Sequence, residues 1–127
     1  MEIINGVEVS DGSYILNPNI KFKTTTYTDS YTVKLTQTGE TLIMNSSSNK
    51  VFTLPSVSAS DVGVTFTFAN INTGKLTIDA ADSDIIADSA TGATIYSDDD
   101  NFSQLTLELV SATRWLVKGA HGTWTTT

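Results

Sequence analysis

The segment Val64-Thr65-Phe66-Thr67-Phe68 constrains this chain more than any other, because apolar and hydroxyl side chains alternate with a period of two. A strand with one buried face satisfies that period and a helix does not. The pattern recurs in Ile20-Lys21-Phe22-Lys23, in Tyr31-Thr32-Val33-Lys34-Leu35-Thr36 and in Leu105-Thr106-Leu107-Glu108-Leu109. Threonine and serine supply roughly a quarter of the residues, where a typical domain would carry more lysine and glutamate. Threonine is β-branched, loses χ1 freedom in a helix and suits a half-wet pleated surface, so the hydroxyl-rich exterior itself predicts sheets.

Turn signals divide the chain at short intervals. Asn5-Gly6 between Ile3-Ile4 and Val7-Glu8-Val9 suits a two-residue type I′ turn and predicts an opening hairpin. Further strands are expected at Tyr14-Ile15-Leu16, Thr41–Met44, Val51–Leu54, Lys75–Asp79, Ile85-Ile86, Ala93–Tyr96 and Arg114–Lys118. Val64–Phe68 and Lys75–Asp79, separated by Asn70–Gly74, are expected to pair as a hairpin. Only Ser56–Gly63 has room for a helical turn. No repeat is regular enough to predict a solenoid. Strand signals at about every eight to twelve residues without a sustained helical period predict an all-β chain, an antiparallel β-sandwich or small barrel of jelly-roll type. A length of 127 residues predicts one compact domain. Within it, residues 38–127 form the sandwich and residues 1–37 supply N-terminal strands or an arm suited to attachment.

Fourteen acidic against seven basic residues give a net charge of −7, which repels a phosphate backbone and argues against nucleic acid as a partner. The absence of cysteine removes disulfides, thiol catalysis and thiolate-bound zinc. No stretch approaches a membrane-spanning length, and the opening Met1–Gly6 has neither the basic nor the apolar run of a signal peptide, so a soluble cytosolic product is expected.

Several residues invite a chemical reading. His121 is the sole histidine, so a Ser-His-Asp mechanism would centre on it, yet Gly119-Ala120 and Gly122 around it suggest an exposed turn. Asp79, Asp82, Asp84 and Asp88 offer paired carboxylates for acid–base work on a glycoside, but a polar turn poor in aromatics is the simpler reading. Asp98, Asp99, Asp100 and Asn101, with Ser97, offer oxygens to calcium without the glycine and distal glutamate of an EF-hand loop. Trp115 heads an apolar run and is expected in the core, whereas Trp124, between Thr123 and Thr125, is a candidate for stacking on a sugar or reaching a neighbouring chain. With no phosphate-binding loop or basic aromatic patch, the expectation is a non-catalytic module without cofactor or metal, acting through its surface.

Six segments together carry a resemblance. Val51-Phe-Thr-Leu-Pro55 is followed by Gly63–Phe68 and Gly74–Asp79. Leu105–Val110, Thr113–Val117 and Gly122-Thr-Trp-Thr125 come after. In that order they resemble a module of tailed-bacteriophage virion proteins found in capsid decoration proteins, head fibres and tail fibres, over approximately residues 38–126. The resemblance implies an all-β unit, often a homotrimer, on the virion surface. It further implies a capsid decoration (cement) protein that binds the major capsid protein or another virion protein and stabilises the shell. The alternative is a short fibre or tail-tip component that recognises a host glycan, with Trp124 and Tyr96 as contacts. A tail fibre usually carries a long shaft or a receptor-binding tip, and a free-standing chain of 127 residues is expected to have room for neither. Residues 1–37 lie outside the match, so Ile3, Ile4, Val7 and Val9, with Trp124, are the candidate partner-binding residues.

Overall fold

A computed structural model describes residues 2–4, 7–10, 13–16, 21–87, 93–97 and 102–127, with side chains from residue 21 onward. Among these residues are fourteen strands: β1 (Glu2–Ile4), β2 (Val7–Ser10), β3 (Ser13–Leu16), β4 (Thr24–Tyr27), β5 (Tyr31–Thr32), β6 (Thr41–Met44), β7 (Lys50–Thr53), β8 (Thr65–Asn70), β9 (Leu76–Asp79), β10 (Ile85–Ile86), β11 (Thr94–Ser97), β12 (Ser103–Ser111), β13 (Arg114–His121) and β14 (Thr125–Thr126). They form three sheets: β1-β2-β3, a six-stranded sheet in the order β10-β13-β12-β8-β6-β4, and a five-stranded sheet in the order β14-β11-β9-β7-β5. The two larger sheets pack face to face as a β-sandwich, the expected class.

The sheets are mixed, not wholly antiparallel. From β4 to β11 the chain visits the two large sheets alternately, so consecutive strands never pair, and as far as β9 each strand pairs with the next one in its own sheet. As a result β4, β6 and β8 are parallel neighbours on one side, and β5, β7 and β9 on the other. Parallel neighbours need a crossover of about a dozen residues, usually helical; here the crossover is a strand of the opposite sheet. The expected hairpin between Val64–Phe68 and Lys75–Asp79 is therefore absent, with β8 and β9 in different sheets. Its supposed turn is a corner in which the buried Asn70 Nδ2 donates to the Gly74 carbonyl at 2.9 Å and the Gly74 N–H donates to the Ser46 carbonyl at 3.0 Å. Antiparallel pairing appears later, where β11 joins β9 and β12 joins β8, and β12 with β13 makes a long hairpin broken by two register shifts.

Two connections of this coil are copies of each other. After β5 and after β7 the chain enters a one-turn 3-10 helix, Leu35–Gln37 and Ala59–Asp61. In each, the side chain of the last helical residue reaches back to a backbone N–H: Gln37 Oε1 accepts from Lys34 N, and Asp61 Oδ2 from Ser58 N. Each ends at a residue of nearly equal backbone angles, Thr38 and Val62, and then at a glycine of positive φ, Gly39 at 85° and Gly63 at 100°. Left-handed backbone at that point excludes a Cβ at low cost. The shared string is Val-x-x-x-Gln/Asp-x-Gly-x-Thr, Val33–Thr41 and Val57–Thr65. It is an internal repeat too diluted by loop residues to stand out in sequence.

The core lies between the two sheets. Strand alternation turns Leu42 and Met44, Phe66 and Phe68, and Leu105, Leu107 and Leu109 inward from one sheet, to meet Phe52, Leu76, Ile78 and Ile95 from the other, all buried. Phe52 and Phe68 approach to 5.3 Å between ring centroids, and Phe66 and Trp115 to 5.8 Å, so an aromatic row ties the layers together. Trp115 is wholly buried, as expected, and its Nε1–H is the one buried side-chain polar atom among the described residues without a hydrogen-bond partner.

Candidate functional surface

With the inner faces spent on packing, any recognition falls to the outer faces, the edges and the loops. On the six-stranded sheet the register lines up Thr24, Thr41, Thr67 and Thr106 on four adjacent strands. The hydroxyls of Thr67 and Thr106 lie 3.1 Å apart, and Lys118 Nζ comes within 3.8 Å of Glu108 across β12 and β13. The five-stranded sheet repeats the theme with Thr53, Asp79 and Thr94 in one row and Val51, Thr77, Tyr96 and Thr125 in another. Lys75 Nζ stands 4.1 Å from the centroid of the Tyr96 ring. Cross-strand hydroxyl pairs of this kind stabilise a sheet modestly and present a flat, weakly charged face.

Large apolar side chains interrupt that face at one end. Phe22, Val62, Val110 and Leu116 are exposed, Phe22 by 76%. Leu116 pairs with Glu108 and Glu108 with Thr65. Gly39 donates its N–H to the Thr65 carbonyl, and the Phe22 ring lies 3.9 Å from where a Gly39 side chain would begin. Phe22 and Leu116 thus bound one line of positions across five strands. Val62 and Val110 lie just beyond it, since Gly63 N–H donates to the Leu109 carbonyl. Lys21, Lys23, Arg114 and Lys118, all exposed, flank the band.

At the same end of the sandwich a polar cluster closes the coil. Gln37 is nearly buried and serves several partners: its Oε1 accepts from Tyr31 OH at 2.8 Å and its Nε2 donates to Tyr27 OH at 3.1 Å. Tyr27 and Tyr31 stack at 4.4 Å, and burial raises the Tyr27 hydroxyl above the usual tyrosine range, partly opposed by the bond from Gln37. This is a structural clasp between β4, β5 and the first 3-10 turn.

The candidate residues fall as follows. Asp82 and Asp84 share a tight turn in which Asp82 has φ 55° and accepts from Ser56 Oγ at 2.9 Å. Asp84 is buried, and burial, with a smaller contribution from the charge of Asp82, holds its carboxyl above the ordinary carboxylate range. Asp79 ends β9 on the outer face; Asp88 lies outside the described residues. Asp98, Asp99, Asp100 and Asn101 also lie outside them, while Ser97 is buried and bonded to Ser103 at 2.7 Å. Among the described residues no three acidic, histidine or cysteine side chains gather as a metal site, and no cavity opens. His121 is the exposed last residue of β13, not a turn residue, and its carbonyl accepts the Trp124 Nε1–H at 3.1 Å. Trp124 is half-buried, with part of its ring against the core. Ile3, Ile4, Val7 and Val9 lie in β1 and β2, whose register pairs Ile3 with Glu8 and Ile4 with Val7, leaving two residues between the strands as a hairpin requires. Their side chains lie outside the described set.

Sequence reasoning passed over the exposed apolar band and the Gln37 clasp. Phe22 was visible as an alternating residue and assigned to a buried face, and nothing in a lone glutamine marks it as a hub. Among the described residues no helix is long and apolar enough to cross a membrane. No family model matches the chain, and neither does any curated protein.

Proposed function

We propose that this chain is a structural protein of a tailed-bacteriophage virion, a capsid decoration protein that binds the outer shell, self-associates as a homotrimer and stabilises the particle without chemistry. The observation that carries the reading is the placement of the resembling segments. Phe52, Leu54, Phe66, Phe68, Ile78, Leu105, Leu107 and Trp115 are together the core of one sandwich, so the resemblance spans a whole folding unit. The threonine-rich outer faces suit a module that works by covering a surface. Adding purified protein to undecorated capsids and measuring co-sedimentation tests it: saturable binding and a higher particle melting temperature are expected. Failure to bind capsids, with binding to host glycans on an array, would replace it with the short-fibre reading.

A further inference from the structure

Strand β10 is held under opposing forces. It is two residues long and ends the six-stranded sheet, where it pairs parallel with β13. Ile85 N–H donates to the Thr113 carbonyl at 2.8 Å, Ala87 N–H to the Trp115 carbonyl at 2.7 Å, and the Arg114 guanidinium to the Ala87 carbonyl. Ile86, wholly buried, anchors the strand in the core. Two features work against these bonds. The segment is bracketed by Asp82 and Ala87 at φ 55° and 57°, two of the three described non-glycine residues with left-handed backbone, a region that disfavours any side chain. Immediately before the strand comes Asp84, only 6% exposed. Burial alternates through Asp84, Ile85 and Ile86, so the carboxyl turns inward on the same side as the Ile86 anchor. The charged groups beside it are Asp82 in its own turn and Arg114 on β13. Burial and the Asp82 charge both oppose its ionisation, and among the described residues no hydrogen bond or cation offsets them.

We propose that β10 is a pH-governed latch, which stays on the edge of β13 while Asp84 is protonated and lifts away when Asp84 ionises. A carboxylate in an apolar site must regain water. Asp84 is joined to the strand by one peptide bond, so its carboxylate reaches water by drawing Ile85 and Ile86 off β13. The hinges are Ala87 and the turn Ala81–Asp84, closed by the Asp84 N–H on the Ala81 carbonyl at 3.1 Å, and lifting relaxes the two left-handed residues. It also leaves β13 as the edge of the sheet, with the Thr113 and Trp115 carbonyls open to another strand. Because burial holds the carboxyl above the ordinary range only in the closed form, closure is complete below that range. Closure then weakens as pH rises to the raised value, the opening equilibrium growing by about tenfold per pH unit between the two. The latch belongs to the fold and stands apart from the proposed function.

Amide hydrogen exchange on the full chain tests it, read residue by residue by NMR from about pH 4 to 8 and divided by the intrinsic rate at each pH. The reference is the Leu109 N–H, bonded to the Val64 carbonyl at 2.9 Å in the body of the same sheet. Ile85 and Ala87 are expected to open more than about tenfold as often as Leu109, as a local event does, with opening that rises with pH. In Asp84→Asn their opening should be flat with pH. Asp82→Asn removes the neighbouring charge while keeping an oxygen for Ser56 and a side chain that tolerates left-handed backbone, and it should end the rise at a lower pH. Ile85 and Ala87 exchanging no faster than Leu109, a rise that survives Asp84→Asn, or one that moves to higher pH in Asp82→Asn overturns the latch.

Discussion

Gly74→Ala should be among the most damaging single-methyl additions in the sandwich. Gly74 needs no left-handed backbone; what it lacks is room. A Cβ there would fall on the Ser48 carbonyl oxygen and 2.6 Å from that of Ser46, both backbone atoms of the β6–β7 corner. Relief requires the two corners to separate by several tenths of an ångström, and two hydrogen bonds cross that gap or depend on it: Gly74 N–H to Ser46 O at 3.0 Å, and the buried Asn70 Nδ2 to Gly74 O at 2.9 Å. Losing the first costs about 1 kcal/mol, and stranding a buried amide about 1–3 kcal/mol, so a total of about 2–4 kcal/mol is expected. Against a domain stability of about 5–15 kcal/mol that is a large fraction. At about 4 °C per kcal/mol it lowers the melting temperature by roughly 8–16 °C. Gly63→Ala is the matched control. No heavy atom lies within 4 Å of its Cβ position, but φ is +100°, so only the left-handed penalty of about 1–2 kcal/mol applies. Urea denaturation of both variants, followed by tryptophan fluorescence, measures the difference. A Gly74→Ala protein within about 0.5 kcal/mol of wild type, inside the scatter of an ordinary surface substitution, would refute the close approach of the two corners. A costlier Gly63→Ala would refute the ranking of crowding above backbone strain.

Three further perturbations probe the polar interior. Ser97 and Ser103 bond to each other in a buried site, so either serine changed to alanine alone should cost about 1–3 kcal/mol by stranding a hydroxyl, while the double change should be nearly neutral; strictly additive losses in a double-mutant cycle would contradict this. Gln37→Leu removes the acceptor of Tyr31 OH and Lys34 N–H and should destabilise by about 2–4 kcal/mol, read as a shift in the urea midpoint at constant slope. Asp84 has a carboxyl pKa raised by burial and by Asp82, so the folded state resists its ionisation and stability is lost as pH rises through the folded pKa. Asp84→Asn should therefore be more stable than wild type at pH 7, and the difference should shrink as pH falls below the ordinary carboxylate range; an asparagine variant weaker at pH 7 would show that the charge has a partner.

Strand identity was legible from period-two alternation, because burial of one face acts locally on side chains two residues apart. Thr41–Met44, Val51–Thr53, Thr65–Phe68 and Leu105–Leu109 all form strands, and Phe66, Phe68, Leu105, Leu107 and Leu109 turn inward as their alternation predicts. Strand partners were not legible, because alternation fixes which face is buried and not which neighbour supplies the hydrogen bonds. Asn70-Ile-Asn-Thr-Gly74 has the composition of a hairpin loop, and it was read as one. Its glycine serves close packing against another corner, and its asparagine bridges the corner from within. Leu35 shows the same limit at shorter range: its alternation with Tyr31 and Val33 predicted a strand to residue 36, but Gln37 captures the Lys34 N–H and turns the chain into a 3-10 helix first. A local side-chain bond outcompetes the ladder there.

The repeat at Val33–Thr41 and Val57–Thr65 changes what the resemblance is worth. A coil of two such connections needs a reverse-reaching polar side chain and a left-handed glycine at each corner, and it needs inward apolar residues on the strands that follow. Phe66, Phe68, Ile78, Leu105 and Trp115 are therefore dictated by the architecture, whatever the module attaches to. Residues so constrained testify to fold, and only residues the fold leaves free can testify to partner. Those are the outward positions, among them the exposed Phe22 and Leu116 and the bases beside them. Substituting Phe22 and Leu116 together by serine separates the two kinds of information. Both are exposed, so the urea midpoint should stay within about 0.5 kcal/mol of wild type, while self-association and capsid binding are assayed on the same preparation. If stability falls by several kcal/mol instead, the band belongs to the core and the functional surface must be sought elsewhere.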